Sequence, residues 1–143
     1  GKRESYRLVG DVLLTETDIR CKVNYPDAIV TTTWGIDLHY PDKQNSRYFP
    51  GQEFIAYAIH PNKRKEDYTF PYRCLYSRNI ENLFMAGRNI SVTHIALGAI
   101  RVQRTTGMMG EVVGMAAYLC MKYRCSPRQL YTDYLQELLD CVS

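Results

Sequence analysis

Asp37 and His39 stand two residues apart, and residues i and i+2 of a strand share a face. Two titratable groups so placed can tune each other's pKa and divide acid and base roles. The same spacing also describes a surface Asp–His pair on a half-exposed strand. A second set lies further on. Gly107, Gly110, Gly114 and Ala117 follow one another at spacings of three, four and three, so on a helix they line one stripe. Each interior glycine costs about 0.8–1 kcal/mol relative to alanine. Tight packing of the helix on a sheet and close approach of a ligand both offset that cost. At the start of the same helix, around Arg104-Thr105-Thr106-Gly107, unpaired amides and the positive end of the dipole make a natural anion site. The five cysteines (Cys21, Cys74, Cys120, Cys125, Cys141) form no CxxC and stand beside only three histidines, which argues against structural zinc. An odd number leaves at least one free thiol, and all five read as reduced, core-type residues.

The elements that position these groups divide near residue 80. Before it the chain is rich in Tyr, Thr, Val and Ile, with turn residues at short intervals. Tyr6–Val9 and Val12–Leu14 flank Gly10-Asp11 and predict strand, turn, strand. Thr15 with Asp18 three residues on predicts a capped helix start. Strands are expected within Ala28–Tyr40, over Phe54–Ile59 and over Tyr68–Tyr76. Connections this short favour antiparallel pairing. Residues 1–79 therefore read as a β-rich portion. In residues 80–143, Asn82–Gly87 predicts a short strand, Arg104–Tyr123 a long helix, and Ser126-Pro127-Arg128-Gln129 a capping box opening a last helix. Leu130, Tyr134, Leu135, Leu138 and Leu139 give that last helix its apolar stripe, which should pack on the outside of the domain. The fold class is α+β.

Composition excludes several functions. Eighteen Lys and Arg against fifteen Asp and Glu leave a net charge of +3 over 143 residues, with 45% apolar residues. The chain is too apolar for the disordered class, and a diluted +3 is no footprint for nucleic acid. The basic cluster Lys63-Arg64-Lys65 runs straight into Glu66 and Asp67 and reads as a solvated turn. No apolar run approaches the ~20 residues of a membrane helix. Twelve tyrosines suit polar-lined cavities and interfaces, or simply half-buried strands. The chain opens on Gly1-Lys2-Arg3 without a signal segment and reads as a piece of something longer.

The stretch Ile80-Glu81-Asn82-Leu83-Phe84-Met85-Ala86-Gly87-Arg88-Asn89-Ile90-Ser91, with His94, Ala96-Leu97-Gly98, Arg101 and Thr105–Ala117, resembles the C-terminal part of FAD-dependent oxidoreductases. Arg3-Glu4-Ser5-Tyr6-Arg7, Leu14-Thr15-Asp18, Trp34-Gly35-Ile36-Asp37-Leu38-His39 and Pro71-Tyr72-Arg73-Cys74-Leu75 carry the resemblance more loosely through the first half. It implies a strand returning the chain to a flavin-binding domain at Ala-Gly-Arg, and a Gly-rich helix aimed at FAD. Flavin reduction adds negative charge at the pyrimidine edge, where a helix N-terminus favours it. The implied cofactor-binding residues are Gly87, Arg88, Gly98, Arg101, Thr105, Thr106, Gly107, Met108 and Gly110. Here Thr106, Gly107 and Met108 supply amides, while Arg88 and Arg101 serve as bidentate donors or as structural ion pairs. The implied catalytic residues are His94, Asp37, His39, Tyr72 and Arg73. His94 can act as a flavin-facing acid or sit as a satisfied core histidine.

No G-x-G-x-x-G follows a strand in this chain, and the family holds the FAD pyrophosphate with that element. The resemblance therefore implies the closing part of a flavoenzyme, inactive and colourless alone, whose partner is the missing N-terminal FAD-binding portion of the same protein. The implied reaction is hydride transfer between flavin and a small organic or sugar-like substrate. Polysaccharide lyase chemistry, with Tyr, His and Arg moving protons beside a uronate, and a non-catalytic interaction domain are the alternatives. An exposed glycine stripe would also favour self-association of the piece.

Overall fold

Capping chemistry places the first helix. The Asp18 amide donates to Thr15 Oγ1 at 3.3 Å, and the Thr15 amide donates to the Asp18 carboxylate at 2.7 Å. This reciprocal box opens α1, Glu16–Arg20. The structure is a computed structural model that describes residues 7–41, 47, 56–59 and 67–142, with backbone alone for 39–41 and 56–59. Arg3, Glu4, most of the Phe54–Ile59 run's beginning and the Lys63-Arg64-Lys65 turn lie outside the described residues, as does the side chain of His39.

The fold is α+β, as its sequence predicts. Strand β1, Ala28–Thr32, pairs antiparallel with β4, Tyr68–Pro71, with Val30 opposite Phe70 and an irregularity between Ala28 and Val30. Strand β2, Leu38–Pro41, pairs antiparallel with β3, Ala56–Ile59. After β4 the chain tightens into a 3-10 turn over Tyr72–Cys74, so the strand expected to reach Tyr76 stops at Pro71. Helix α2 spans His94–Ile100, α3 Gln103–Tyr123, α4 Pro127–Asp133 and α5 Leu135–Val142. The buried stripe of α3 is Thr105, Met109, Val112, Ala116 and Leu119, which faces β1. Leu130 and Leu138 bring α4 and α5 onto the same helix. Among the described residues no helix is long and apolar enough to cross a membrane, and no cluster of His, Cys, Asp and Glu could hold a metal.

Two expected elements do not form. The segment from Leu8 to Leu14 makes no hairpin. The Leu8 amide donates to Asn89 O at 3.2 Å, Leu14 to Ser91 O at 3.1 Å, and Thr93 back to Leu14 O at 2.9 Å. The segment lies parallel beside residues 89–93, bridged at Leu14 and Val92. Gly10 is a close approach here rather than a turn: a Cβ would stand 2.4 Å from Arg73 O. Long-range pairing with buried Leu14 outweighs a local turn. The Asn82–Gly87 strand is likewise reduced to one bridge, Tyr76 with Phe84, and a 2.7 Å bond from the Met85 amide to Leu75 O.

The Ser126 box forms as expected, with Gln129 N to Ser126 Oγ at 3.3 Å and Ser126 N to Gln129 Oε1 at 2.8 Å. The last helix breaks in two at Tyr134, whose ring stacks on Tyr123 with centroids 3.9 Å apart. Both flanking helical bonds survive the break, Tyr134 N to Leu130 O at 3.0 Å and Leu138 N to Tyr134 O at 3.3 Å. Replacing Ser126 with alanine is expected to lower stability by about 0.5–2 kcal/mol, and with glycine by only a few tenths. A melting temperature for the alanine variant equal to the parent's would show that the hydroxyl does not cap α4.

Candidate functional site

Helix α3 is the place to begin, because its first turn has no side-chain cap. Val102 occupies the N-cap with a side chain that cannot accept a bond, whereas the Thr15, Thr93 and Ser126 side chains cap α1, α2 and α4. The first turn also holds no acidic residue. The Thr106 amide is taken by Val102 O at 3.0 Å. The donors left over therefore belong to Gln103, Arg104 and Thr105, the first helical residues. This corrects the sequence reading, which began the helix at Arg104 and offered the amides of Thr106, Gly107 and Met108. Those three lie inside the helical ladder.

Thr105 turns inward, 2% exposed, and donates from Oγ1 to Thr32 Oγ1 at 3.1 Å. Thr32 Oγ1 in turn donates to Ala99 O at 3.1 Å and accepts from the Trp34 amide at 3.2 Å. These hydroxyls bolt the end of β1 to the first turn of α3 and the last turn of α2. Thr105 thus has a packing task at the position where the resemblance implied a flavin contact. Beside the bolt a cleft of about 310 Å³ opens, lined by Thr31–Trp34 on one wall and by Val102, Arg104, Thr105 and Met108 on the other. Trp34, half exposed, offers its ring at this cleft. Arg104 is exposed and makes no ion pair among the described residues.

Asp37 lies next to α2. Arg101 Nη2 donates to its Oδ2 and to its carbonyl, both at 3.4 Å. Gly98 is the reason α2 can come so near, since a Cβ there would stand 2.5 Å from Asp37 O. Gly98 is therefore a packing glycine, and Arg101 a partner of Asp37. Gly87 adopts φ +116°, a conformation that favours glycine, and its amide donates to Met109 Sδ at 3.2 Å, which ties the Ala-Gly-Arg turn to α3. Arg88 and His94 are exposed. Added Cβ atoms at Gly107, Gly110 and Gly114 would meet nothing within 4 Å. The stripe that sequence spacing offered for packing on a sheet faces open space, and the helix buries the opposite side.

Tyr72 and Arg73 belong elsewhere. Tyr72 is fully buried and donates from its hydroxyl to Pro127 O at 3.1 Å. Burial pushes its phenol far above the ordinary value. Arg73 grips buried Asp27 through Nε at 2.9 Å and Nη2 at 2.8 Å, with its guanidinium carbon 4.8 Å from the centre of the Tyr131 ring. The Asp27 bonds hold its pKa above the usual value. Both are engaged by buried partners, Tyr72 through its hydroxyl to Pro127 O and Arg73 through Nε and Nη2 to Asp27. The structure thus gathers Thr105 and Met108 at the cleft and joins Asp37 to Arg101. Sequence reasoning placed Arg104 at the helix start as part of an anion site but missed Thr31–Thr33 and Asp27. Only the run Thr31-Thr32-Thr33-Trp34 carried a signal, a cluster of hydroxyls beside the single tryptophan.

A family model described as FAD dependent oxidoreductase matches residues 1–139 of the chain. No curated protein and no solved structure matches it.

Proposed function

The chain belongs to the FAD dependent oxidoreductase family, and on that premise we propose that it forms the flavin-facing closing segment of an oxidoreductase for a small organic or sugar-like substrate. The observation that carries the reading is the uncapped, acid-free first turn of α3 opening beside a cleft. Unpaired helix amides and a guanidinium fit the electron-rich edge of a flavin or an anionic substrate group. Bound there, FAD supplies hydride transfer between its ring system and the substrate.

The chain's own residues bind and orient. Gln103, Arg104 and Thr105 offer first-turn amides, and Arg104 adds a charged donor at the same mouth. The Trp34 ring gives a flat apolar face, and the Thr31 and Thr33 hydroxyls give polar contacts of the kind a hydroxylated substrate needs. Asp37, held by Arg101, fixes the backbone that meets α2. His94, at the start of α2, is the residue we assign to proton donation. Residues 1–79 serve the substrate side, and the open glycine stripe is assigned to the N-terminal FAD-binding portion.

The chain alone is expected to be colourless, and the intact protein yellow, with flavin absorbance at about 450 nm. In the intact protein Arg104→Glu places a carboxylate at the helix N-terminus and reverses the favourable polarity. Flavin or substrate affinity should fall by roughly tenfold or more, given about 1.4 kcal/mol per decade. An intact protein purified without flavin and unable to take it up would overturn the reading.

A further inference from the structure

The end of α3 opposite the cleft carries a pair of thiols that the flavin reading does not use. The helix terminates at Arg124, a non-glycine residue in the left-handed region with φ 52° and ψ 44°. The Cys125 amide donates to Cys120 O at 3.0 Å, and the Arg124 amide to Met121 O at 3.4 Å. This is the double-bonded Schellman termination, in which the residue after the left-handed one bonds back to the third from the helix end. That termination brings those two side chains into contact, usually as an apolar pair. Here both are cysteines.

We propose that Cys120 and Cys125 form an intramolecular redox site, a dithiol that closes to a disulfide across the helix C-cap when a small-molecule disulfide is the oxidant. Both thiols are only partly buried. The backbone bond between the two residues brings them close together. A disulfide requires Cα atoms within about 7 Å and side chains that face each other, as the C-cap contact has them. Burial, followed by the neighbouring Cys125, pushes the Cys120 thiol up to about 12, so reaction at neutral pH is slow and speeds up as pH rises. The remaining cysteines offer no such geometry: Cys74 is buried, and Cys21 and Cys141 are exposed.

The exchange balances. One thiol loses its proton and attacks a sulfur of the oxidant RSSR, releasing RS⁻ and leaving a mixed disulfide. The second, deprotonated in turn, attacks the protein sulfur of that mixed disulfide and expels the other RS⁻. Two protein thiols and one RSSR thus become one protein disulfide and two RSH.

The test uses the chain with oxidised glutathione, followed by N-ethylmaleimide and trypsin. Lys122 and Arg124 lie between the two cysteines, so trypsin separates them unless sulfur joins them. The expected product is a single linked species carrying Cys120 and Cys125, lighter by about 2 Da than the sum of its two peptides and split by reductant. Cys120→Ser should abolish it and leave Cys125 as a glutathione or maleimide adduct. Exposed Cys21 and Cys141 report that the oxidant has acted. Separate maleimide adducts of Cys120 and Cys125 at an oxidant level that has converted Cys21 and Cys141 would overturn the proposal. A link from either residue to Cys141 would overturn it too.

Discussion

Asp27→Ala is expected to lower the stability of the chain by about 3–5 kcal/mol, the usual cost of leaving one partner of a buried ion pair alone. The Asp27 side chain is wholly buried and accepts from the Arg73 amide at 3.0 Å as well as from both arms of its guanidinium. Its carbonyl accepts from the Tyr72 amide at 2.8 Å. One residue therefore holds the first two residues of the 3-10 turn that follows β4. Truncation strands a guanidinium whose side chain is only 21% exposed, held between Tyr25 and Tyr131, and it orphans an amide. For a domain of this size the melting temperature should fall by roughly 10 °C. Asp27→Asn keeps the shape and one acceptor, so its loss should be smaller. Melting curves for the two variants decide the matter. An Asp27→Ala melt within experimental error of the parent would mean that the pair contributes nothing.

Gly98→Ala and Gly110→Ala should move stability in opposite directions although both place alanine in a helix. At Gly98 the new methyl would stand 2.5 Å from Asp37 O and 3.1 Å from Asp37 C and N. These are backbone atoms that cannot swing aside, so α2 or the segment around Asp37 must shift. Overpacking of this kind costs typically about 1–3 kcal/mol, more than the helix propensity gained. The shift would also loosen the 3.4 Å contacts of Arg101 with Asp37. At Gly110 nothing lies within 4 Å, and alanine should stabilise the chain by about 1 kcal/mol. Thermal unfolding of both variants gives the signs directly. If Gly98→Ala melts above the parent, the contact between α2 and Asp37 is looser than the geometry says. In the intact protein, the same Gly110→Ala change should lose its benefit where the proposed FAD-binding portion covers the stripe.

Local chemistry was legible in the sequence because local bonds carry it. Thr15 with Asp18 and Ser126 with Gln129 form capping boxes at the positions their spacing specifies. The long α3 follows from a run free of proline, and the α+β class from the change of character near residue 80. Long-range choices were not legible. Gly10-Asp11 has the look of a turn, yet the chain only bends there and goes on to lie beside residues 89–93, with Leu14 buried and Gly10 against Arg73 O. Four of the glycines illustrate the limit. Spacing singled out Gly107, Gly110 and Gly114, which face open space, while Gly98, with no pattern around it, has a neighbour's backbone 2.5 Å from where its Cβ would be. Tyr72 and Arg73 look reactive in one dimension and are consumed by Pro127 and Asp27 in three. Periodicity reports which residues share a face of one element. Which face turns inward, and which polar group finds a buried partner, depends on atoms tens of residues away, and only the packed tertiary structure brings those together.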